Sequence, residues 1–487
     1  MLDPKIADKY EMTIGIECHV QLKTKTKLFA PVDNDARDAM PNTTVSEICF
    51  GLPGTLPVLN KEAVHLAIKA GHALNSKVNL FSKFDRKHYF YPDLPMGYQI
   101  SQFEQPIIGS GEVEVCLRSG EKIKVGIERA HLEADAGKLT HPTGENYSLV
   151  DLNRAGTPLI EIVSEPDIHS AEAAKAYARE LNLRMRYADV SDANLYYGNM
   201  RFDVNISIAP KGSKRLGTRA EIKNLNSFRA VENCINFEFE RQVEIIEKGE
   251  EIVQETRGWN DAENKTFSQR SKEDAHDYRY MPEPDIPPVV LTQEYIDEVK
   301  DELPTMPSKI RELLSTLGLN HSQMETIVES PNLAKVLIEA KELGVDVSHQ
   351  KRIANWLQIF SSSTSEDQDD SNEDNDIKFN PKSLVTLSNM VEEGKLNSTA
   401  AKEILNHLAK KDQDPEELAS ELNLIQINND EELEKIVEQV MQDNPKPVQD
   451  LKNGEEKAIG FLVGQIMKLS SGKANPSTAQ KIIRSKL

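Results

Sequence analysis

The sequence predicts an α+β protein, with a sheet-containing region up to about Pro288 and an all-helical region after it. Two observations support this fold class. Several segments before Pro288 alternate apolar and polar residues with period two, which is typical of strands that bury one face. After Pro288 the apolar residues recur at helical spacing. A chain of 487 residues is also too long for one hydrophobic core, so we expect several domains.

Five predicted strands carry acidic, basic, histidine and amide side chains on their polar faces. They are Thr13–Leu22, Arg129–Asp135, Leu159–Glu165, Met200–Ile208 and Arg219–Asn226. In the first of them, Glu17 and His19 point away from the face that carries Ile16 and Cys18. A solvated sheet face usually carries Lys, Thr and Ser. We therefore interpret these polar faces as parts of a functional surface.

Helices are predicted from apolar spacing and from capping residues. Before Pro288 they cover Glu62–Asn75, Ala171–Tyr187 with Ser170 as N-cap, and Phe228–Lys248 ended by Gly249. After Pro288 they cover Tyr295–Leu317, His321–Leu343, His349–Phe360, Ser383–Glu393 and Ser398–Ala409, followed by a helical unit from about Asp412. Residues 361–376 form a low-complexity acidic tract that is typical of a disordered insertion.

The formal net charge of −21 argues against a nucleic-acid partner, because phosphate binding needs cations. The charge is distributed unevenly, however. Seven acids and no base lie between Glu366 and Asp376, whereas the chain from Pro445 onward is locally cationic. The cations of this last segment are Lys446, Lys452, Lys457, Lys468, Lys473, Lys481, Arg484 and Lys486. The global charge is therefore a poor guide to the partner.

The composition favours a cytoplasmic protein. The four cysteines form no CxxC pair, so neither a disulfide framework nor a zinc knuckle is predicted. No apolar run reaches the length of a membrane span. The N-terminal residues lack the apolar core of a signal peptide and are too acidic for a transit peptide.

The polar strand faces predict a divalent metal site. Glu17 and His19 from one strand could meet Glu133, Asp135 and Glu161 from other strands. Oxygen ligands suit Mg²⁺, and a histidine ligand is more natural for Mn²⁺ or Zn²⁺. The alternative is a salt-bridged polar face that binds nothing. Strand pairing is not readable from the sequence, so both interpretations stay open at this point.

Two loops combine cations with aromatic residues. Residues Lys83–Asp93 interleave three cations with aromatic side chains, a pattern that suits an RNA end or a nucleotide but equally a buried aromatic anchor. The loop Asp277–Asp285 adds two tyrosines, an arginine and rigid X-Pro steps, and a structural loop explains it as well. No Walker motif, HExxH motif, kinase glycine loop or nucleophile elbow is present. A covalent acyl mechanism on this chain is therefore not expected.

Eight sequence motifs, in order along nearly the whole chain, resemble one family. They are Ile14–Leu22, Gly51–Asn60, Lys83–Gln105, His131–Lys138, Ser148–Asp167, Glu221–Ser227, Asp277–Asp285 and Ile459–Lys468. The chain resembles the B subunits of the amidotransferases that convert Glu-tRNA(Gln) to Gln-tRNA(Gln) and Asp-tRNA(Asn) to Asn-tRNA(Asn). This resemblance implies that ATP phosphorylates the side-chain carboxylate of the misacylated amino acid, with Mg²⁺ as cofactor. Ammonia would come through a channel from glutamine on a separate amidase (glutaminase) chain, and a small third chain would complete a heterotrimer.

The resemblance also implies a domain order and a set of site residues. It implies a largely antiparallel cradle domain over 1–294, a helical domain over 295–410 with the acidic insertion at 361–376, and a tRNA-binding tail domain over 411–487. By position, His19, Glu133 and Glu161 would bind the metal, with Glu17 beside them for a second ion. As extrapolations, Arg201 and Lys223 would face phosphate, and Asn153 and Arg154 would contact substrate.

One departure from the family bears on cofactors. Some members bind structural zinc through cysteines before the Gly51 loop, but here only Cys49 remains, so no zinc is expected. Two other function classes compete with the amidotransferase: a non-catalytic RNA-binding scaffold and a metal nuclease, which would degrade the tRNA. The sequence does not distinguish between Glu-tRNA and Asp-tRNA as substrate.

Overall fold

The computed structural model describes residues 4–271, 278–361, 378–426, 430–470 and 474–487. Within them the fold is α+β with a helical C-terminal region, as the sequence predicts. One compact unit contains the residues up to Ile310, and a second unit begins at Arg311. The division into three domains stays a prediction. Apart from Ser361, the insertion 361–376 lies outside the described residues, and so does Asp277 of the second loop.

An eight-stranded sheet is the centre of the first unit. Its strands are β1 (Tyr10–Gln21), β5 (Gly111–Cys116), β6 (Lys122–Ala134), β9 (Pro158–Ser164), β10 (Met200–Pro210), β11 (Ala220–Leu225), β12 (Glu255–Asn260) and β13 (Lys265–Ser271). Their spatial order is β13-β12-β11-β10-β1-β9-β6-β5, and only β11 and β12 pair in parallel. All five strands predicted from alternation belong to this sheet. Their polar faces are thus brought onto one surface.

Smaller sheets complete the first unit. Strands β3 (Asp85–His88), β4 (Tyr98–Ser101) and β14 (Met281–Pro282) form one, β2 (Phe81–Ser82) and β15 (Val289–Val290) a second, and β7 (Lys138–Thr140) and β8 (Leu149–Asp151) a third. Pairing of β14 with β3 docks the residues after Tyr278 onto the aromatic segment that begins at Lys83. The two loops singled out in the sequence are therefore neighbours.

Helices cover the apolar face of the sheet. The helices that lie within this unit are α1 (Pro4–Ala7), α2 (Lys61–Ala73), α3 (Ala171–Tyr187), α4 (Phe228–Glu247) and α5 (Gln293–Asp301), and α6 (Pro307–Ser315) spans the boundary to the second unit. Ser170 and Ser227 cap α3 and α4 by accepting backbone N–H bonds from Ala173 and Ala230. Apolar residues of β1 such as Ile14 and Val20 are fully buried in the resulting core. Burial of each such side chain stabilises the fold by about 1.5–3 kcal/mol. Because a shift of one residue would expose these side chains, their burial fixes the register of β1.

The second unit is helical, as predicted. Two of the helices predicted after Pro288 are each divided into two in the structure. The helices of the second unit are α7 (His321–Val328), α8 (Pro331–Glu342), α9 (Val347–Ser361), α10 (Pro381–Glu392), α11 (Ser398–Leu408), α12 (Pro415–Glu421), α13 (Asp430–Asp443), α14 (Pro445–Lys452), α15 (Lys457–Leu469) and α16 (Pro476–Ser485). A single helix over His321–Leu343 is wrong because Pro331 starts a new helix at its first turn. A single helix over Tyr295–Leu317 is wrong because Pro304 and Pro307 separate α5 from α6.

The last four helices have a core of their own, which includes Leu433, Val437, Leu462, Ile466 and Ile483. Several of the lysines that make this segment cationic are exposed, whereas Lys473 lies outside the described residues. Among the helices that the structure describes, none combines the length and the apolar character that a membrane crossing requires.

Candidate functional site

The polar face of the sheet gathers its functional side chains through strand register. His19 on β1 lies opposite Glu161 on β9 and opposite Arg201 on β10. Glu161 in turn lies opposite His131 on β6. Directly opposed residues on neighbouring strands have side chains close enough to interact. The four adjacent strands β10, β1, β9 and β6 therefore deliver their polar side chains into one region.

His19, Glu133 and Glu161 form what we call the histidine cluster. The Nε2 atom of His19 lies 3.6 Å from Glu133 Oε1 and 3.6 Å from Glu161 Oε2. Glu133 is buried, and Glu161 is only 9% exposed. Burial alone would raise the pKa of Glu161, but His131 and His19 lower it well below its usual range. These three residues were expected from the sequence to bind one metal, and the structure places their ligand atoms together.

His131 is a neighbour of this cluster. It lies on the polar face of the predicted strand Arg129–Asp135 but was not among the residues expected to bind the metal. Its Nε2 atom lies 3.2 Å from Glu161 Oε2 and 3.8 Å from Glu133 Oε2. Burial lowers the pKa of His131, but Glu161 and Glu133 outweigh it and raise the pKa to about 9. The imidazolium therefore compensates two buried carboxylates. Its Nδ1 atom is buried and lacks a hydrogen-bond partner among the described residues.

Glu17, Asp203 and Glu221 form a second group, the three-carboxylate cluster. Glu17 lies opposite Asp203 across β1 and β10, and Glu221 lies on β11 opposite Asn205. Burial, and then the charges of Glu161 and Asp203, raise the pKa of Glu17. Because Glu17 and His19 are two residues apart on one strand face, the two clusters lie roughly 7 Å apart along β1. Of this cluster, only Glu17 was expected from the sequence to bind a metal.

A β-bulge positions Lys223 beside the three-carboxylate cluster. Two residues of β11, Lys223 and Asn224, oppose the single residue Asp203, because the register shifts between Phe202 and Val204. Asn224 has a φ of 61°, which an asparagine tolerates, and its N–H donates to Asp203 Oδ1 at 2.8 Å. Lys223 Nζ lies 2.9 Å from Asp203 Oδ2 and 2.9 Å from Glu221 Oε1. The bulge thus brings a cation to a group of three carboxylates.

Arg201 and Arg154 share one acceptor, Asp135. Arg201 donates to Asp135 Oδ2 at 3.1 Å, and the charge of Asp135 is the main reason that the pKa of Arg201 is raised. Arg154 lies 3.2 Å from the same oxygen and also donates to the carbonyls of Ala136 and Gly137. Asp135 therefore fixes both guanidinium groups at the edge of the histidine cluster.

The side chain of Asn153 forms hydrogen bonds with backbone groups of a distant segment. Its Oδ1 accepts backbone N–H bonds from Thr43 and Thr44, at 2.8 and 2.9 Å. Its Nδ2 donates to the carbonyl of Met40 at 2.7 Å, and the residue is buried. All of these partners belong to the chain. Both polar atoms of the Asn153 side chain are therefore bonded within the chain, and a substrate contact by Asn153 stays a prediction.

Lys87 lies close to the carboxylates of the histidine cluster, on a strand outside the large sheet. It lies on β3, next to β4, whose Ser101 donates to Glu133 Oε2 at 3.4 Å. Burial lowers the pKa of Lys87, but the charges of Glu133, Tyr280 and Glu161 outweigh it and raise the pKa above its usual value. The ammonium lies 5.0 Å from the centre of the Tyr278 ring. From the sequence, this lysine belonged to a segment that suited either an RNA or nucleotide contact or a buried aromatic anchor, and its proximity to the carboxylates was not predicted.

Comparison with known proteins identifies the family. Residues 12–297 match the family described as the GatB/GatE catalytic domain, and residues 339–487 match the GatB domain. A protein of Thermoanaerobacter pseudethanolicus, named as the B subunit of an aspartyl/glutamyl-tRNA(Asn/Gln) amidotransferase, is 44% identical over 98% of this chain and 99% of its own. A protein of Trichodesmium erythraeum with the same name is 44% identical over 99% of this chain and 98% of its own.

The chain belongs to the GatB family. The resemblance found in the sequence motifs is thereby confirmed. Both clusters lie inside the matched catalytic domain, and so do Lys87, His131, Arg201 and Lys223. The cationic helices of the last unit lie inside the matched GatB domain.

Both clusters of this GatB chain fit divalent cations. In the described part of the chain, these are the two groups in which three His, Cys, Asp or Glu ligand atoms lie within 4.8 Å of one another. An all-carboxylate set suits Mg²⁺, and a set of one histidine and two carboxylates is more natural for Mn²⁺ or Zn²⁺. Asn205 donates to Glu17 Oε1 at 3.0 Å, and its own buried Oδ1 has no hydrogen-bond partner within the described ranges. Such an orphaned oxygen is well placed to hold a metal-bound water.

Proposed function

We propose that this chain phosphorylates the side-chain carboxylate of a glutamyl or aspartyl group esterified to tRNA, using ATP, and directs ammonia to the resulting acyl phosphate. The adjacent histidine and three-carboxylate clusters are the observation that carries this proposal. Phosphoryl transfer needs cations positioned around phosphate oxygens, and this chain has no Walker motif for that task. The two clusters supply an alternative on a rigid sheet.

The metal ligands would be His19, Glu133 and Glu161 in the histidine cluster and Glu17, Asp203 and Glu221 in the other. Bound Mg²⁺ would offset the negative charge that develops as a phosphoryl group moves to a carboxylate. The protein's own cations cannot do so alone, because carboxylates outnumber them around the site. The acids are Glu17, Glu133, Asp135, Glu161, Asp203 and Glu221, and the cations are Lys87, His131, Arg154, Arg201 and Lys223.

Arg201 and Lys223 would contact the phosphates of ATP. Each is already ion-paired, to Asp135 and to the pair Asp203 and Glu221, so its position is fixed before substrate arrives. A positioned cation costs little reorganisation when charge develops beside it. Lys87, whose charge interacts with Glu133 and Glu161, would supply a counter-charge to the substrate carboxylate.

We further propose that the chain acts in a heterotrimer. An amidase partner would release ammonia from glutamine, because no nucleophile elbow is present here, and a small third protein would complete the assembly. The cationic C-terminal unit would bind the tRNA. Its exposed lysines include Lys446, Lys452, Lys457, Lys468 and Lys481, whereas Arg484 and Lys486 pair with Glu456 and Glu438. Phosphate contacts of this kind are independent of sequence.

The experiment is to purify the assembled heterotrimer and to measure ADP release with each misacylated tRNA, in the presence and absence of glutamine. Release of ADP that requires Glu-tRNA(Gln) or Asp-tRNA(Asn), coupled to formation of the amidated product, supports the proposal. Binding of tRNA without ADP release would favour an RNA-binding scaffold. Shortening of the tRNA would favour a metal nuclease. Either outcome would contradict the proposed reaction.

A further inference from the structure

Lys27 is a buried lysine with no carboxylate partner among the described residues. The residue is 1% exposed. Its Nζ atom donates to Cys49 Sγ and to the carbonyl oxygen of Leu152, each at 3.5 Å. Burial lowers the pKa of Lys27, against the opposing effects of Cys49 and Asp151, and so increases the share of the neutral amine. A neutral amine is a nucleophile, whereas an ammonium is not.

Cys49 provides the atom that faces this amine. The residue is 7% exposed, and the hydroxyl of Ser46 lies 3.6 Å from its sulfur. Cys49 also lines a cavity of about 40 Å³, together with Phe29, Met96, Ala134 and Asp135. A cavity of this size holds a few water-sized molecules. A peroxide molecule, which is little larger than water, has room beside the thiol.

We propose that Lys27 and Cys49 form a reversible covalent N–S bond when the protein meets hydrogen peroxide. In the first step the thiol is oxidised to a sulfenic acid and the peroxide is reduced to water. In the second step the Lys27 amine attacks the sulfenyl sulfur, the N–S bond forms, and the sulfenyl oxygen leaves as water with one amine proton. Two equivalents of a thiol reductant restore the amine and the thiol and are themselves oxidised to a disulfide.

The bond would join a surface segment to the frame of the candidate site. Cys49 precedes the exposed apolar residues Phe50 and Leu52. On the other side, the residue next to Lys27, Leu28, donates its N–H to the carbonyl of Gly156, whose own N–H donates to the carbonyl of Asp135. Oxidation would therefore fasten the Phe50 segment to the backbone that carries Asp135. This device does not depend on the proposed amidation.

The test uses the full chain, treated with hydrogen peroxide and digested at acidic residues without reductant. Mass spectrometry should find the Lys27 and Cys49 peptides linked, at the sum of their masses less two hydrogen atoms. Added thiol should return both peptides unmodified. Lys27→Arg replaces the attacking amine by a guanidinium that does not attack sulfur, so Cys49 should instead be trapped as a sulfenic acid by a 1,3-dione reagent. Cys49→Ser should give neither product.

Cys234 is the internal control, because it is buried and its thiol donates to the carbonyl of Val231 rather than facing an amine. Its peptide should stay unlinked at the same peroxide dose. If Lys27→Arg fails to fold, the wild-type and Cys49→Ser digests still decide the matter. Oxidation of Cys49 to sulfinic acid with the Lys27 peptide unmodified would overturn the proposal, and so would a thiol that does not react.

Discussion

His19 and Glu161 face each other across β1 and β9, with Nε2 and Oε2 3.6 Å apart. The pair depends on strand register, because a slip of one residue would turn His19 into the core and Cys18 onto the polar face. The buried neighbours of His19 on β1, Cys18 and Val20, are fully excluded from solvent and prevent that slip. The packing of the apolar face therefore sets the geometry of the polar one.

Glu161→Gln should abolish ATP-dependent amidation. The substitution keeps the shape of the side chain but removes the charge that two histidines face. Loss of one metal ligand should lower the rate by at least about 100-fold, because metal stabilisation of the transition state amounts to several kcal/mol. Product formation by the assembled heterotrimer measures the rate, and gel-shift titration should show unchanged tRNA binding.

Glu165→Gln is the matched control for this substitution. Glu165 follows β9 directly and is exposed, so the same chemical change falls outside the histidine cluster. Its activity should equal that of the wild type. Normal amidation by Glu161→Gln, or an equal loss in both variants, would exclude the proposed metal role of Glu161.

Asn205→Ala should weaken metal binding without removing a ligand. Asn205 donates to Glu17 Oε1 at 3.0 Å and orients that carboxylate. Loss of such a supporting hydrogen bond typically lowers metal affinity by about 10–100-fold. The Mg²⁺ concentration for half-maximal ADP release should rise, and the rate at saturating Mg²⁺ should recover. Asn233→Ala, on the opposite helical layer, should leave the Mg²⁺ dependence unchanged, and a loss of rate that excess Mg²⁺ does not restore would contradict this assignment.

The strands and the polar face were predictable from the sequence because both follow from local alternation. Leu159–Glu165 and Met200–Ile208 were predicted within two residues of the observed strands. The order of the strands was not predictable, since pairing depends on contacts between distant segments. The neighbourhood of His19 and Glu161 therefore required the structure, although both residues were selected beforehand.

Three features of the site had no local signal. The bulge at Lys223 and Asn224 interrupts the alternation only when β10 lies beside β11. Lys87 reaches the carboxylates because β3 and β4 form a separate small sheet near the end of β6. The side chain of Asn153 is hydrogen-bonded to the backbone of Thr43, in a segment more than one hundred residues earlier. A polar residue in a motif can thus hold the fold, and sequence spacing does not reveal which task it has.

Asn153→Ala should lower stability rather than substrate affinity. The change removes one oxygen that accepts two backbone N–H bonds and one amide that donates to Met40. Leaving such groups unsatisfied costs about 1–3 kcal/mol. We expect a lower melting temperature and faster proteolysis between residues 40 and 58. The KM for tRNA at a temperature where the variant is folded should match the wild type, and a raised KM there would instead support substrate contact.

Arg86→Met should weaken the attachment of the segment after Tyr278 to strand β3. Arg86 donates to both oxygens of Glu283, at 2.7 and 2.9 Å, and Glu283 is buried. Removing the guanidinium leaves a buried carboxylate without its partner, at a cost of about 3–5 kcal/mol. Chemical denaturation should show this loss, and proteolysis near Tyr280 should accelerate. Lys77→Met, which removes an exposed cation of the same unit, is the control and should change stability little.

Glu238→Gln should make the stability of the folded protein less dependent on pH. Glu238 is fully buried and accepts hydrogen bonds from Arg241, Gln242 and Thr266. Burial alone would raise the pKa of Glu238, but the Arg241 guanidinium and these hydrogen bonds lower it below its usual value. A lowered folded-state pKa stabilises the protein above the unfolded-state pKa of about 4.3, and this stabilisation is lost as the pH falls through the folded-state pKa. The melting-temperature difference between wild type and Glu238→Gln should therefore be largest at neutral pH and shrink below about pH 4. A difference that stays constant from pH 7 to acid would show that packing, and not the charge of Glu238, holds this network.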